Sequence, residues 1–170
     1  LERFISLNQP AFPGGASVLA GLLSQIGLVG KYLAHDLRRA ALLDILGTTG
    51  ETNVQGETVK KLDEIANETF VRLLQQNGQV CALASEEMEK PIILPRSGAQ
   101  GSYMVLFDPL DGSSNTDVNM PLGSIFSIVM RQRPDDVLSE SDLVRRGTEQ
   151  VAAGYLLFGA STMLVFTTGQ

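Results

Sequence analysis

Tyr103-Met104-Val105-Leu106-Phe107-Asp108-Pro109-Leu110-Asp111-Gly112-Ser113-Ser114-Asn115 sets an apolar run directly against acids and turn-forming residues. The run Tyr103 to Phe107 reads as a strand. Asp108 onward reads as the loop at its end, where a scaffold usually presents reactive groups. Pro109 has no N–H to donate and stiffens the departure from the strand. Asp108 and Asp111 can converge on one cation, with the Leu110 carbonyl as a third hard oxygen. Gly112, Ser113 and Ser114 then offer backbone N–H groups and hydroxyls to phosphate oxygens. The same residue types are also ordinary turn formers, so the loop alone decides nothing.

A second acidic cluster shifts the balance. Ser85-Glu86-Glu87 follows another apolar run, Val80 to Ala84, and supplies the further carboxylates that octahedral Mg²⁺ needs. A third stretch, Asn53-Val54-Gln55-Gly56-Glu57-Thr58-Val59-Lys60-Lys61-Leu62-Asp63, places Glu57 and Asp63 around a helix start. Acids are favoured near a helix N-terminus in any case, which by itself explains that pair. The functional reading requires side chains from these stretches to gather around hard divalent ions beside a phosphoryl-sized hollow.

Outward from these clusters the chain divides into helices, then strands. Ser17 is placed to cap a helix with Val18, Leu19, Leu22, Leu23, Ile26, Leu33 and Leu37 on one broad face. Gly21, Gly27 and Gly30 weaken it and imply close packing against a neighbour. Gly47 and Gly50 are expected to bracket a turn, and Asn53 to Gly56 a flexible loop. Val59, Leu62, Ala66, Thr69 and Leu73 recur at helical spacing, with Gly78 as the stop. After Gly78, strands are expected at Val80–Ala84, Tyr103–Phe107 and Ile125–Met130, then a charged surface loop with a short helix over Pro134–Arg146. Gln150–Phe158 fits a buried helix and Thr162–Thr168 a strand, assignments that periodicity alone does not separate. Two helices followed by several strands indicate a layered α+β fold, not a regularly alternating parallel one.

Composition narrows the function classes. The chain has 170 residues, 44% of them hydrophobic and 19% charged, which excludes disorder and supports a large core. A domain of this size buries roughly 70% of its unfolded surface without disulfides. The formal net charge is −6, with no basic run, so nucleic acid is an improbable partner and cations a better one. The single cysteine, Cys81, permits no internal disulfide, suits a reducing cytoplasm, and is expected to be an inert core thiol. No basic head followed by an apolar run opens the chain, and the apolar stretch Val151–Phe166 is broken by Gly154 and Gly159 and too short to span a bilayer. No membrane partner is expected. A start at Leu1 and an end at Gln170 inside an apolar stretch are what a piece of a longer protein would show.

Several motifs fail. The Asp108 loop is not an EF-hand, because Leu110 sits where a side-chain oxygen is required. Gly27-Leu28-Val29-Gly30-Lys31-Tyr32 is too short for a P-loop and has Tyr in place of Ser/Thr. His35 has no partner histidine or cysteine for zinc. Asn67-Glu68-Thr69 matches a glycosylation acceptor only by chance.

Asp108-Pro-Leu-Asp-Gly-Ser-Ser-Asn115 with Ser85-Glu-Glu87 upstream resembles the magnesium-dependent, lithium-sensitive sugar phosphatases. Asn53–Asp63, Gly123-Ser-Ile-Phe126 and Ala152-Ala-Gly-Tyr155 narrow the resemblance to class I fructose-1,6-bisphosphatases, most like the bacterial and cyanobacterial members, from about Lys31 to the end of the chain. The resemblance implies a layered sugar-phosphatase fold, with N-terminal helices packed on a mainly antiparallel sheet. Residues 1–170 would then form the N-terminal metal-binding domain, and the C-terminal sugar-binding domain would lie outside this chain.

The resemblance also implies roles. Glu86 and Asp108 would be shared between Mg²⁺ ions (Mn²⁺ as the alternative), with the Leu110 carbonyl and Asp111 completing neighbouring positions and Glu57 a third. Asp63 and Glu87 would take a proton from the attacking water. Asp111, Gly112, Ser113 and Ser114 would surround the 1-phosphoryl group. The implied reaction is hydrolysis of fructose 1,6-bisphosphate to fructose 6-phosphate and phosphate, in gluconeogenesis or carbon fixation, by a cytoplasmic homotetramer. Sedoheptulose 1,7-bisphosphate, dual activity, and a non-catalytic cation-binding module stay open as alternatives. This piece alone is expected to have little or no activity. The family's AMP-inhibition pattern is not kept at Gly14-Gly-Ala-Ser17, Ser102 and Met130, so AMP control is not implied.

Overall fold

The computed structural model describes residues 1, 3–5, 16–39, 48–52, 58–95, 101–112, 121–132 and 137–168. Helix α1 spans Ala16–Arg39 and buries Leu19, Leu22, Leu23, Ile26, Val29 and Leu33 on one face. This is the expected apolar stripe at helical spacing. It starts one residue earlier than expected, so Ser17 lies in the first turn instead of capping it. Strands β1 (Thr48–Thr52) and β2 (Thr58–Lys60) pair antiparallel. Helix α2 follows over Lys61–Gln75, burying Leu62, Ala66, Thr69, Phe70, Leu73 and Leu74.

Strands β3 (Val80–Ser85), β4 (Ile92–Ile93), β5 (Tyr103–Asp111), β6 (Leu122–Met130), β7 (Gln150–Phe158) and β8 (Thr162–Thr167) form a second sheet, in the order β4-β3-β5-β6-β7-β8. Every neighbouring pair in it is antiparallel except β3 with β5, which run parallel. The layered α+β fold and the mainly antiparallel sheet are thus as expected.

Both helices pack on this sheet. The Phe70 ring of α2 stacks on Phe107 of β5, with centroids 4.6 Å apart and planes 13° from parallel. Such a pair contributes about 0.5–1.5 kcal/mol beyond the area it buries. Gln25 Nε2 of α1 donates to the Leu73 carbonyl of α2 at 3.0 Å. Gly30 lets α1 approach β7, since a Cβ there would lie 2.7 Å from Leu156 Cδ2. Gly21 has no such neighbour within 4 Å, so its expected packing role does not hold. By length and composition α1 is long and apolar enough to cross a membrane, yet half of its most apolar window is buried inside the protein. That face is already spent on the core.

Four local expectations are corrected. Gly50 lies within β1 instead of bracketing a turn. Val59 belongs to β2, and the helix starts two residues later. Gln150–Phe158 is a strand, not a helix: Ala152, Leu156 and Phe158 are buried while Tyr155 between them is exposed, a period of two. The β5 strand does not end at Phe107 but continues through Pro109 to Asp111. The expected loop at Asn53–Gly56 lies outside the described residues. In the charged stretch a short 3-10 helix forms at Glu140–Asp142, as expected. Asn67-Glu68-Thr69 lies inside α2 with Thr69 buried, which removes it as a glycosylation acceptor.

Candidate active site

The parallel pairing of β3 and β5 sets the register from which the site grows. Ser85 lies opposite Phe107, and the Glu86 N–H donates to the Phe107 carbonyl at 3.1 Å. Glu86, just past the end of β3, and Asp108, within β5, therefore lie at the same level of the sheet. The Glu86 side chain is close enough to act on the Asp108 carboxyl. Burial and the neighbouring Glu86 carboxyl, with a smaller push from Asp111, raise the Asp108 carboxyl to about 7; the Leu110 N–H works against them.

A bulge re-aims the strand at this point. Asp108 faces Ile125 and Asp111 faces Gly123, so β5 carries one more residue than β6 between the two pairs. Such insertions bend a strand and redirect its side chains. Pro109 interrupts the ladder because it has no N–H. Its carbonyl accepts a 2.7 Å bond from Ser124 Oγ, while the Leu110 N–H donates to Asp108 Oδ1 at 3.0 Å. Ser124 is fully buried. Strand alternation places it between buried Leu122 and Phe126, and a buried hydroxyl in an apolar row must find a partner. Immediately after β5, Gly112 adopts φ +82°, a left-handed conformation that suits glycine.

A cavity of ≈ 800 Å³ lies over the sheet beside the two acids, lined by Glu86, Asp108, Ile125, Tyr155, Val165 and Phe166 among others. Asp108, Ile125, Tyr155 and Val165 are successive register partners across four strands. Ile125, Tyr155 and Val165 are 40–50% exposed, an apolar row that starts at an acid.

The other expected site residues are placed as follows. Glu87 is half-buried, with its N–H donating to Ser85 Oγ at 3.3 Å. Asp111 is exposed at the end of β5, close enough to act on Asp108. Leu110 has its side chain in the core. Asp63 is buried in the first turn of α2 and does not line the cavity. Glu57, Ser113 and Ser114 lie outside the described residues. Among the described residues, no three His, Cys, Asp or Glu side chains converge to hold a metal ion. The described residues bring together the stretches of Glu86 and Asp108, while the third is described only in part. The donor set still suits a hard cation: Mg²⁺ is commonly held by one or two carboxylates with water and substrate phosphate completing its shell.

Comparison with known proteins agrees with this architecture. The sequence matches the family described as fructose-1-6-bisphosphatase, N-terminal domain, over residues 1–170. It is 48% identical to the class 1 fructose-1,6-bisphosphatase of Trichormus variabilis, over 100% of this chain and 49% of that protein. The corresponding protein of Trichodesmium erythraeum is 50% identical, over 100% of this chain and 48% of that protein. A crystal structure of Leishmania major fructose-1,6-bisphosphatase in holo form superposes with a TM-score of 0.87 at 36% identity, covering 99% of this chain and 52% of that one. The chain spans about half the length of these relatives. With its sheet, its bulged strand and its full-length match, the chain belongs to the fructose-1,6-bisphosphatase family, as its N-terminal domain.

Proposed function

We propose that this chain is the cation- and phosphate-holding half of a sugar-bisphosphate phosphatase that hydrolyses the 1-phosphate of fructose 1,6-bisphosphate. The observation that carries the reading is the Glu86–Asp108 pair, which lines the cavity from two parallel strands with Glu86 acting on the Asp108 carboxyl. Relatives at about 48% identity bear the corresponding enzyme name, which supports the choice of substrate.

In this reading Glu86, Asp108, Asp111, Glu57 and the Leu110 carbonyl hold Mg²⁺, or Mn²⁺ in its place. When bound, such ions neutralise the transferring phosphoryl group and acidify water. Asp63 and Glu87 accept the proton of the attacking water, a role that requires hydrogen-bond reach. Gly112, Ser113 and Ser114 hold phosphoryl oxygens through N–H groups and hydroxyls, with the left-handed turn at Gly112 aiming the backbone. The exposed row Ile125–Tyr155–Val165 supports a further proposal: a second, sugar-binding half packs over this face and encloses the cavity. The acidic charge supports the absence of a nucleic-acid partner, and the free buried Cys81 is in keeping with a reducing cytoplasm. Homotetramer assembly rests on the resemblance.

The test joins this chain to the second half of the Trichormus variabilis relative and measures phosphate release. Magnesium-dependent turnover of fructose 1,6-bisphosphate is expected, with sedoheptulose 1,7-bisphosphate assayed beside it. Asp108→Asn and Glu86→Gln should each lower turnover by about a hundredfold or more, with circular dichroism unchanged. Near-normal release by either variant would overturn the assignment. The chain alone should show little or no turnover, and light scattering of the chimera reads the assembly.

A further inference from the structure

The two glutamates that follow β3 are adjacent in sequence but are held by different bonds. The Glu86 N–H donates to the Phe107 carbonyl at 3.1 Å, which continues the β3–β5 ladder and ties Glu86 to the strand of Asp108. The Glu87 N–H donates instead to Ser85 Oγ at 3.3 Å. The Ser85 carbonyl accepts the Met88 N–H at 3.2 Å, so residues 85–88 form a β-turn with Glu86 and Glu87 at its corner. Serine suits the first position of such a turn, because its hydroxyl can take the N–H two residues on.

Ser85 is itself fixed from behind. It is the last residue of β3, in register with Phe107, and its half-buried side chain lines the cavity that Glu86 and Asp108 also line. Beyond β3 the Glu87 N–H has left the ladder, and the serine hydroxyl takes the place of a strand partner. A rigid strand end thus reaches forward through one side chain to hold the second acid.

We propose that Ser85 is a positioning residue, whose hydroxyl sets where the Glu87 carboxylate stands, independently of the bond that anchors Glu86. This role rests on the reading in which Glu87 accepts the proton of the attacking water. The ladder then serves the cation-holding pair, and the serine serves the proton acceptor. A proton acceptor must keep hydrogen-bond reach of its water. A displacement of about 1 Å at a reacting group costs up to about a hundredfold in rate.

In the metal-free chain, amide exchange followed by nuclear magnetic resonance should show the Glu87 N–H exchanging about tenfold faster in Ser85→Ala, with the Glu86 N–H unchanged. Mn²⁺ affinity of that variant, read by electron paramagnetic resonance, should stay within about twofold of the unsubstituted chain. In the chimera with the second half of the Trichormus variabilis relative, Ser85→Ala should lower kcat about tenfold and leave KM within about twofold. Ser85→Thr, which keeps the hydroxyl, should recover most of that loss. Glu87→Gln, assayed beside them, should lower kcat by about a hundredfold or more. Near-normal turnover by Glu87→Gln would overturn the proton-acceptor reading, and the role of Ser85 with it. A slow Glu87→Gln beside a Ser85→Ala at full speed would overturn the positioning role alone. So would Mn²⁺ binding that weakens in step with kcat, an unchanged Glu87 N–H, or Ser85→Thr no better than alanine.

Discussion

Ser124 Oγ donates a 2.7 Å hydrogen bond to the Pro109 carbonyl, and this bond closes the bulge that redirects β5 between Asp108 and Asp111. Ser124→Ala leaves a buried carbonyl without its donor. The expected loss is about 1–3 kcal/mol of stability, read from urea denaturation. Because the bulge also aims Asp108, the same variant should weaken Mn²⁺ binding followed by electron paramagnetic resonance. Ser124→Thr, which keeps the hydroxyl, should retain more of that binding than alanine does.

The Asp108 carboxyl titrates near 7 in the fold against 3.8 in the unfolded reference. A folded value above the unfolded one means that the fold favours the protonated acid. That contribution is fully present below about pH 3.8 and is lost as pH rises through about 7. The metal-free chain should therefore be less stable at pH 8 than at pH 5.5 in denaturant titrations. Asp108→Asn, uncharged at every pH, should flatten this slope. Mg²⁺ should raise the midpoint more at pH 8 than at pH 5.5, since it competes with a proton.

Gly30 and Leu156 make a packing pair whose coupling can be measured. Gly30→Ala puts a methyl 2.7 Å from the Leu156 side chain and should cost about 1–3 kcal/mol, despite the better helix propensity of alanine. Leu156→Val in the same chain should recover part of that loss. A double-mutant cycle by thermal denaturation gives the coupling energy, expected to be about 1 kcal/mol.

Cys81 is fully buried, its thiol donating to the Tyr103 carbonyl at 3.2 Å, and burial pushes its pKa above the usual thiol value. A thiol held protonated and out of solvent is a poor nucleophile. Modification by a disulfide reagent should be slow in the folded chain and should accelerate with urea in parallel with unfolding. A fast native rate would contradict the packing around β3 and β5.

The elements most legible in the sequence are those whose apolar residues are contiguous. Val80–Ala84, Tyr103–Phe107 and Ile125–Met130 stand out because each supplies both faces of a central strand. The hairpin of β1 with β2 is hidden because Thr-Thr-Gly-Glu-Thr has no apolar alternation to betray it. Gln150–Phe158 is ambiguous because Val, Ala, Leu and Phe fit a buried helix as well as a strand between two neighbours. At the site, Glu86 and Asp108 are legible as acids ending apolar runs. Their meeting is not, since it depends on which strands pair and in what direction. Pro109 and Gly112 make Asp108–Asp111 look like a loop, whereas the Ser124 bond lets the strand carry a proline.

The parallel run of β3 beside β5 separates the meeting of two acids from the length of chain that joins them. Backbone ladders fix where Ser85 and Phe107 stand, so the crossover connecting them can gain or lose residues without moving Glu86 relative to Asp108. Variation is thus free to accumulate in that connection, while a shift of a single residue within either strand would turn one carboxylate to the opposite side of the sheet and dissolve the pair.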